Sequence, residues 1–478
     1  MSEKKTEPKT TGRAHRRDFI KTTGLVAAAS TVAAPAIVRG QNLNSKVQFA
    51  SIGALGKGQS DWGTLHRDGE DVVALCDVDS ARVKKAAEHH KKDRADSPAP
   101  ATYIDFREML DEMGDKIDAV TISTPDHAHF PSAIQAIGAG KHVCVQKPLC
   151  NTIGEVRALH AAAKKAGVIT QMGNQGRTME GQRLAKEWIE QGGIGKLQEI
   201  QLWTNRPIWP QGAEVDMTPT AVPPNLNWDL WQAQCAAREY SPSIHPFKWR
   251  GWWDYGSGAL GDMGCHIMDA TFSILGQAIP HRIDVESMGG TSTCAPSWST
   301  LVYHFKDVPN YGDIKVRWQD GRFTSSGQPN KPALPEHMSK DEAGISAFSK
   351  AQSGMLFLGE NGCVFDGDAY CGRPYIYPLS AMDQLKTRIG AGEITKTETR
   401  SPKAGEPQRE WAHFIREGGA PTSNFDYSAP LTEFVLLGNL AVRAGKSISW
   451  DKEAMSTGDP DADKFINRPS YRDGWAKV

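Results

Sequence analysis

Asp262 and His266 stand four residues apart inside Gly256-Ser257-Gly258-Ala259-Leu260-Gly261-Asp262-Met263-Gly264-Cys265-His266-Ile267-Met268-Asp269. If a helix begins near Asp262, that spacing places both side chains on one face. An imidazole titrates where a hydroxyl proton can be taken and returned, so His266 is the candidate base and Asp262 the group that orients or charge-matches it. Much earlier, Lys147 follows the apolar run Val143-Cys144-Val145-Gln146. An ammonium there can donate to a reacting oxygen and hold its partial negative charge. Burial can also lower a lysine pKa, which leaves the proton acceptor open between Lys147 and His266. Without Lys147, the pair reads equally well as a helix cap and a core histidine.

The elements that must position these groups change character along the chain. From 47 to about 175, short apolar runs (47–52, 71–78, 119–123, 142–146 and 168–172) alternate with helical patterns at 81–90, 106–113, 132–138 and 153–166. Strands separated by helices imply right-handed crossovers and a parallel sheet covered on both faces. After 175, runs at 200–204, 301–305, 314–318 and 355–358 lack regular helical spacers. They predict a second α+β domain on a large, open, mostly antiparallel sheet. The Pro-, Gly- or polar-rich stretches 207–227, 325–339 and 393–408 read as surface loops. The expected organisation is a leader over 1–38, an α/β dinucleotide-binding domain of Rossmann type over 45–175, an α+β domain over 176–460 and a tail over 461–478.

The first strand runs into Gly53-Ala54-Leu55-Gly56-Lys57-Gly58, where a dinucleotide fold places its phosphate turn. Glycines let the backbone approach a pyrophosphate, and the next helix offers its N-terminal amides to that charge. The usual G-x-G-x-x-G spacing puts its middle glycine at residue 55, and Leu55 stands there instead. Context supports the turn, because the second strand ends in Asp77, where a carboxylate accepts ribose hydroxyls and repels a 2′-phosphate. With no cation before Arg82, this favours NAD over NADP. The strand ending at 123 leads into Thr124-Pro125-Asp126-His127-Ala128-His129, a loop expected to face the cofactor, with His127 or His129 as possible ribose or substrate contacts. Gln171 and Asn174, at the last strand end, are expected to line the substrate pocket. So are His245, Trp249 and Arg250 in the aromatic stretch 245–253, and Asp269. Aromatic faces with interspersed donors suit a carbohydrate, although core packing is the commoner fate of any single Trp.

Gln146-Lys147-Pro148, together with the glycine-rich Asp262-x-Gly264-x-His266 block, resembles the glucose-fructose oxidoreductase and inositol dehydrogenase superfamily (Gfo/Idh/MocA). Its usual strand-end motif is Glu-Lys-Pro, so Gln146 is a departure. The resemblance spans 47 to about 450. It implies that Lys147 is the active-site lysine, Asp262 the acid and His266 the catalytic histidine, with Gln146 beside the cofactor. It further implies a cis peptide before Pro148, a homo-oligomer formed through the second sheet, and hydride transfer between NAD(H) and a sugar or polyol hydroxyl. Some relatives instead retain NAD and cleave glycosidic bonds through transient oxidation and elimination. Internal recycling between two sugars is a further alternative, and a silent sugar sensor is the weakest.

Residues 1–38 set the expected location. Arg16-Arg17-Asp18-Phe19-Ile20-Lys21, followed by a nearly uncharged stretch to Val38, resembles a twin-arginine export signal, with Ala34-Pro35-Ala36 as a cleavage site. The apolar stretch is too short for stable membrane insertion, which takes about 20 apolar residues. Export to the periplasm, or otherwise out of the cytoplasm, is therefore expected. Charged residues are 23% of the 478 and the net charge is −1, so no global field favours nucleic acid. A small carbohydrate-like molecule is the expected partner. The eight cysteines show neither CxxC pairs nor metal-ligand spacing, and no metal is expected.

Overall fold

The computed structural model describes residues 46–477 apart from 215, 289 and 291, so the expected leader lies outside the described residues. The first half runs β1 (Gln48–Ile52), α1 (Lys57–Arg67), β2 (Asp71–Cys76), α2 (Ser80–Asp93), β3 (Ala101–Tyr103), α3 (Phe106–Met113), β4 (Ala119–Ile122), α4 (Asp126–Gly138), β5 (His142–Val145), α5 (Ile153–Ala166) and β6 (Thr170–Met172). Its six strands are ordered β3-β2-β1-β4-β5-β6 and all pair in parallel. The chain therefore leaves β1 toward β2 on one side and resumes at β4 on the other. Ligands in such sheets sit beyond the strand ends at that reversal.

The second half contains α6 (Glu180–Glu190), β7 (Leu197–Thr204), α7 (Trp228–Gln232), α8 (Gly258–Ile274), β8 (Arg282–Met288), β9 (Trp298–Val308) and β10 (Gly312–Asp320). There follow α9 (Glu336–Ser339), α10 (Glu342–Lys350), β11 (Ser353–Gly359), β12 (Cys363–Asp366), β13 (Tyr375–Tyr377), α11 (Leu379–Gly390), α12 (Pro407–Glu417), α13 (Phe425–Ala444), β14 (Ile448–Ser449) and α14 (Pro460–Asp463). Eight strands form one sheet, β13-β12-β11-β7-β10-β9-β8-β14, antiparallel except where β7 meets β10. The expected fold class holds. Strands β3, β8, β12, β13 and β14 are additions, and three of them have three residues or fewer, too short for a period to register. The loop expected over 325–339 closes on the helical turn α9.

The halves share one apolar core, because α8 and α13 pack together and α13 also meets α5. The covering of the first sheet is completed from far along the chain. In α12, Trp411 is fully buried with its ring 5.3 Å from Phe49, and its indole N–H donates to the Ile169 carbonyl at 3.2 Å. A segment distant in sequence thus supplies one wall of the nucleotide half.

The segment after 460 is docked as well. Arg468 donates to the Glu155 carboxylate at 3.3 Å, to Asn151 Oδ1 at 2.7 Å and to the Asp254 carbonyl at 3.1 Å. Glu155 is fully buried and also accepts from Tyr471. Its charge therefore depends on this guanidinium. Arg468→Met should cost about 3–5 kcal/mol of stability by leaving that carboxylate unpaired. A denaturant midpoint equal to wild type would refute the assignment.

Candidate active site

A cleft of about 920 Å3 opens beyond the carboxyl ends of β1, β2, β4 and β5 and reaches the near edge of the eight-stranded sheet. Its floor is the glycine turn. Gly53 has φ +86°, and a Cβ there would lie 2.6 Å from the Ser123 carbonyl oxygen. At Gly58 a Cβ would lie 1.8 Å from the Gly53 carbonyl oxygen, so this glycine packs the turn against α1 and does not itself line the cleft. Gly56, at φ +69°, occupies the N-cap without a capping side chain, and the first turn of α1 carries no acid. Gly53, Leu55 and Gly56 do line the cleft. Close backbone approach and uncapped amides together fit a dinucleotide pyrophosphate.

A buried carboxylate beneath the turn, absent from the sequence reading, organises it. Asp61 receives Lys57 Nζ at 2.5 Å, Ser123 Oγ at 2.7 Å, Gln146 Nε2 at 2.9 Å and Gln408 Nε2 at 2.7 Å. Burial pushes its pKa up, and Lys57 and these donors pull it back. Gln146 is thereby explained: its amide donates where a glutamate would place a second negative charge against Asp61. The i,i+4 spacing of Lys57 and Asp61 was the available sequence signal.

Asp77 lies at the end of β2 as expected, accepting the Ala54 amide at 3.1 Å and the Asp79 amide at 3.2 Å. The expectation that no cation accompanies it is corrected. The first turn of α2 folds Arg82 back, and its Nε reaches Asp77 at 3.2 Å while Nη2 donates to the Leu55 carbonyl at 3.1 Å. Burial raises the Asp77 pKa and Arg82 opposes the rise.

Thr124, Pro125 and Gln146 line the cleft, but His127 and His129 do not. Because α4 starts at Asp126, both rings turn inward. His127 meets the carbonyls of Tyr255 (3.2 Å) and Trp231 (2.8 Å), and His129 those of Pro148 (2.8 Å) and Thr124 (2.9 Å). Burial lowers their pKa values to about 3 and about 4. These histidines pack the cleft from behind, and His129 ties the β4 loop to the Lys147–Pro148 turn, whose peptide is cis.

Lys147 crosses to α8, donating to the Asp262 carboxylate at 3.0 Å and to the Asp262 carbonyl at 2.7 Å. Helix α8 begins at Gly258, one turn before the expected start, and Asp262 and His266 keep the shared face that lines the cleft. Arg250 Nε lies 3.7 Å from Asp262 and its guanidinium stacks 4.3 Å from the Trp249 ring. Burial raises the Asp262 pKa, but Lys147 and Arg250 outweigh it and hold the carboxyl below its usual range. Asp262 thus serves Lys147 and Arg250, with no hydrogen bond to His266. Among the described residues nothing hydrogen-bonds the His266 ring, which lies 4.9 Å from Tyr370, and burial with nearby Lys147 lowers its pKa to about 3.

Asp126 belongs to the loop expected to face the cofactor, where the sequence assigns it no role. It is buried in the cleft wall, accepts from Ser257 Oγ at 2.9 Å, and has its pKa raised to about 7 by burial and by Asp262, against Lys147 and Arg250.

His245, Trp249 and Arg250 line the cleft as expected, whereas Gln171, Asn174 and Asp269 do not. Only the first turns of α8 reach the cleft. Asp269 lies deeper, accepting from Asn174 (2.7 Å), Gln182 (3.1 Å) and Tyr427 (2.6 Å) in a buried network. Gln171 is wholly buried in β6, and Trp228 and Trp252 belong to a small separate core.

Two outcomes follow from this geometry. Gly58→Ala should lower stability by about 1–3 kcal/mol through overpacking and weaken nicotinamide cofactor binding; unchanged thermal melting and fluorescence titration would contradict the close approach. His266 should remain neutral at pH 5, because a depressed pKa leaves the uncharged ring populated at every pH above it. Imidazole NMR, assigned by His266→Gln, should show its midpoint far below the ordinary 6.5.

Residues 47–174 match the NAD-binding Rossmann-fold domain of the Gfo/Idh/MocA oxidoreductase family, and 202–311 match its C-terminal alpha/beta domain. An alpha-N-acetylgalactosaminidase of Shewanella oneidensis is 33% identical over 164 residues, 30% of this chain and 35% of the relative. A levoglucosan dehydrogenase of Pseudarthrobacter phenanthrenivorans is 29% identical over 178 residues, 36% of each. The chain thus spans only about a third of the length of these curated relatives. Among solved structures, the WlbA dehydrogenase of Chromobacterium violaceum, in complex with NADH and UDP-GlcNAcA, superposes at TM-score 0.57 and 18% identity, covering 85% of this chain and 96% of that one. The aldose-aldose oxidoreductase of Caulobacter crescentus gives 0.53 at 16%, covering 85% and 100%. These likenesses extend the fold across both halves. With both characteristic domains present in order, the chain belongs to the Gfo/Idh/MocA family of oxidoreductases.

Proposed function

We propose that this protein is an NAD(H)-dependent oxidoreductase acting on a hydroxyl of a sugar, polyol or sugar derivative. The observation that carries the reading is one cleft with two chemistries: a glycine-floored dinucleotide cradle on one wall and Lys147, Asp262 and His266 on the other. The levoglucosan dehydrogenase relative supports the substrate class. When bound, nicotinamide supplies the hydride acceptor or donor. His266 receives the hydroxyl proton, because its ring faces the cleft free of hydrogen bonds whereas Lys147 already donates to Asp262. Lys147 holds the partial negative charge on the reacting oxygen. Asp262 keeps that ammonium in place, and buried Asp126 adds a carboxyl poised to exchange a proton near neutral pH.

The preference for NAD belongs to the same proposal. Asp77 would meet ribose hydroxyls, and Arg82 is already engaged by that carboxylate and by the Leu55 carbonyl. Export through the twin-arginine route rests on residues 1–38, and a homo-oligomer on the open second sheet. A second reading, an NAD-retaining glycosidase, is favoured specifically by the alpha-N-acetylgalactosaminidase relative.

Purified protein incubated with free sugars and NAD should form NADH in step with the oxidised sugar. Release of aglycone from aryl glycosides without net NADH would instead select the glycosidase. Lys147→Ala and His266→Ala should each slow turnover by roughly 10²–10⁴-fold while cofactor affinity stays within a few-fold of wild type. Near-normal rates in both variants would sink the site assignment.

A further inference from the structure

Charge is balanced differently at the two ends of the cleft. At the dinucleotide end each cation has its own carboxylate: Lys57 pairs with Asp61 at 2.5 Å and Arg82 with Asp77 at 3.2 Å. At the opposite end, Arg206 and Lys350 line the cleft, and neither has a carboxylate partner among the described residues. The side chain of Arg206 makes one hydrogen bond, to Asn205 Oδ1 at 3.0 Å, which leaves most of its planar donor fork unused. Arg250, on the same side, shares the single carboxylate of Asp262 with Lys147.

This end is also rigidly mounted. Asn205 is pinned to β11 by its amide to the Gln352 carbonyl at 2.8 Å and by its side chain to Gln352 Oε1 at 2.7 Å. The Arg206 carbonyl accepts the Gly321 amide. That pairing joins the strand end that carries Arg206 to the segment that follows Lys350, the last residue of α10, and both side chains line the cleft. Asp366 and Asp368 form no ion pair with them: Asp366 accepts the amides of Asp368 and Arg373, and Asp368 accepts that of Tyr370. A guanidinium with free donors in one cleft with an unpaired ammonium is suited to a bidentate oxyanion and is unfavourable to leave facing a neutral ligand.

We infer that the substrate is an anionic sugar, whose carboxylate or phosphate is held by Arg206 and Lys350 while its hydroxyl faces Lys147 and His266. This rests on the proposed sugar-directed reaction and narrows its substrate class. The pyrophosphate of the dinucleotide does not account for these cations, because it is met at the glycine turn across the cleft.

The full-length protein saturated with NADH is titrated calorimetrically with glucuronate, galacturonate, mannuronate and glucose 6-phosphate, each against its neutral hexose, and with the uronate methyl esters. At least one acid should bind about tenfold or more tightly than its neutral parent, a difference of about 1.4 kcal/mol, and lose that margin on esterification. The uronate and phosphate arms identify which oxyanion is held. In Arg206→Met and Lys350→Met the acid should fall toward the level of its parent with NADH affinity unchanged. Equal binding of acids and parents, no binding of any acid, or an undiminished preference in both variants overturns the inference. The readout needs no turnover. An acid preference without NADH chemistry would defeat only the oxidoreductase reading, and turnover of neutral sugars without that preference would defeat only this one.

Discussion

The contact from Lys147 to Asp262 joins the two halves of the molecule at the place where they must cooperate. Lys147 is delivered by β5 of the parallel sheet and Asp262 by the second turn of α8, and the ammonium takes both the carboxylate and the main-chain carbonyl. Partly buried charges at this distance interact much more strongly than in water. The consequences spread outward from the pair. Asp262 stays ionised, Asp126 is left to carry a raised pKa, and the nearby ammonium adds to burial in keeping His266 neutral. Burial sets the direction at Asp126 and His266, while at Asp262 the neighbouring Lys147 and Arg250 outweigh it.

A second buried carboxylate does comparable work under the cofactor turn. Asp61 ties together the start of α1, the end of β4, the end of β5 and α12. Those elements come from both halves of the sequence, so the turn that would receive a pyrophosphate is stabilised by residues that fold around it late in the chain. The docked C-terminal segment follows the same logic, with Arg468 neutralising Glu155 in a site closed to water. Such pairs contribute less net stability than their Coulomb attraction suggests, but they penalise any arrangement in which one member is left alone.

The apolar grammar of the first half made its parallel sheet legible, because continuous buried runs separated by amphipathic helices have few other solutions. Short strands escaped notice: β3 and β13 have three residues each, and β14 has two. Glycine roles were legible only in outline. Gly58 belongs to the motif, yet its task is a close approach to the Gly53 carbonyl, a fact about distance between backbones. His127 and His129 were reasonable candidates as loop residues. They proved to be helical and inward-facing because α4 begins immediately after Pro125.

The chain's residue order alone determined the fold class, the glycine turn, the acid at the end of β2, and the shared helix face of Asp262 and His266. Each depends on local period or short spacing, which sequence records directly. Only tertiary structure decided that Arg82 meets Asp77, that Asp262 serves Lys147 and Arg250, that Asp269 faces a buried network, that Asp61 lies beneath the glycine turn, and that Arg206 and Lys350 belong to the cleft. Those outcomes depend on which helix faces and strand ends converge. Electrostatic partnership is set by distance and burial in three dimensions, and neither is encoded in the spacing of residues along the chain.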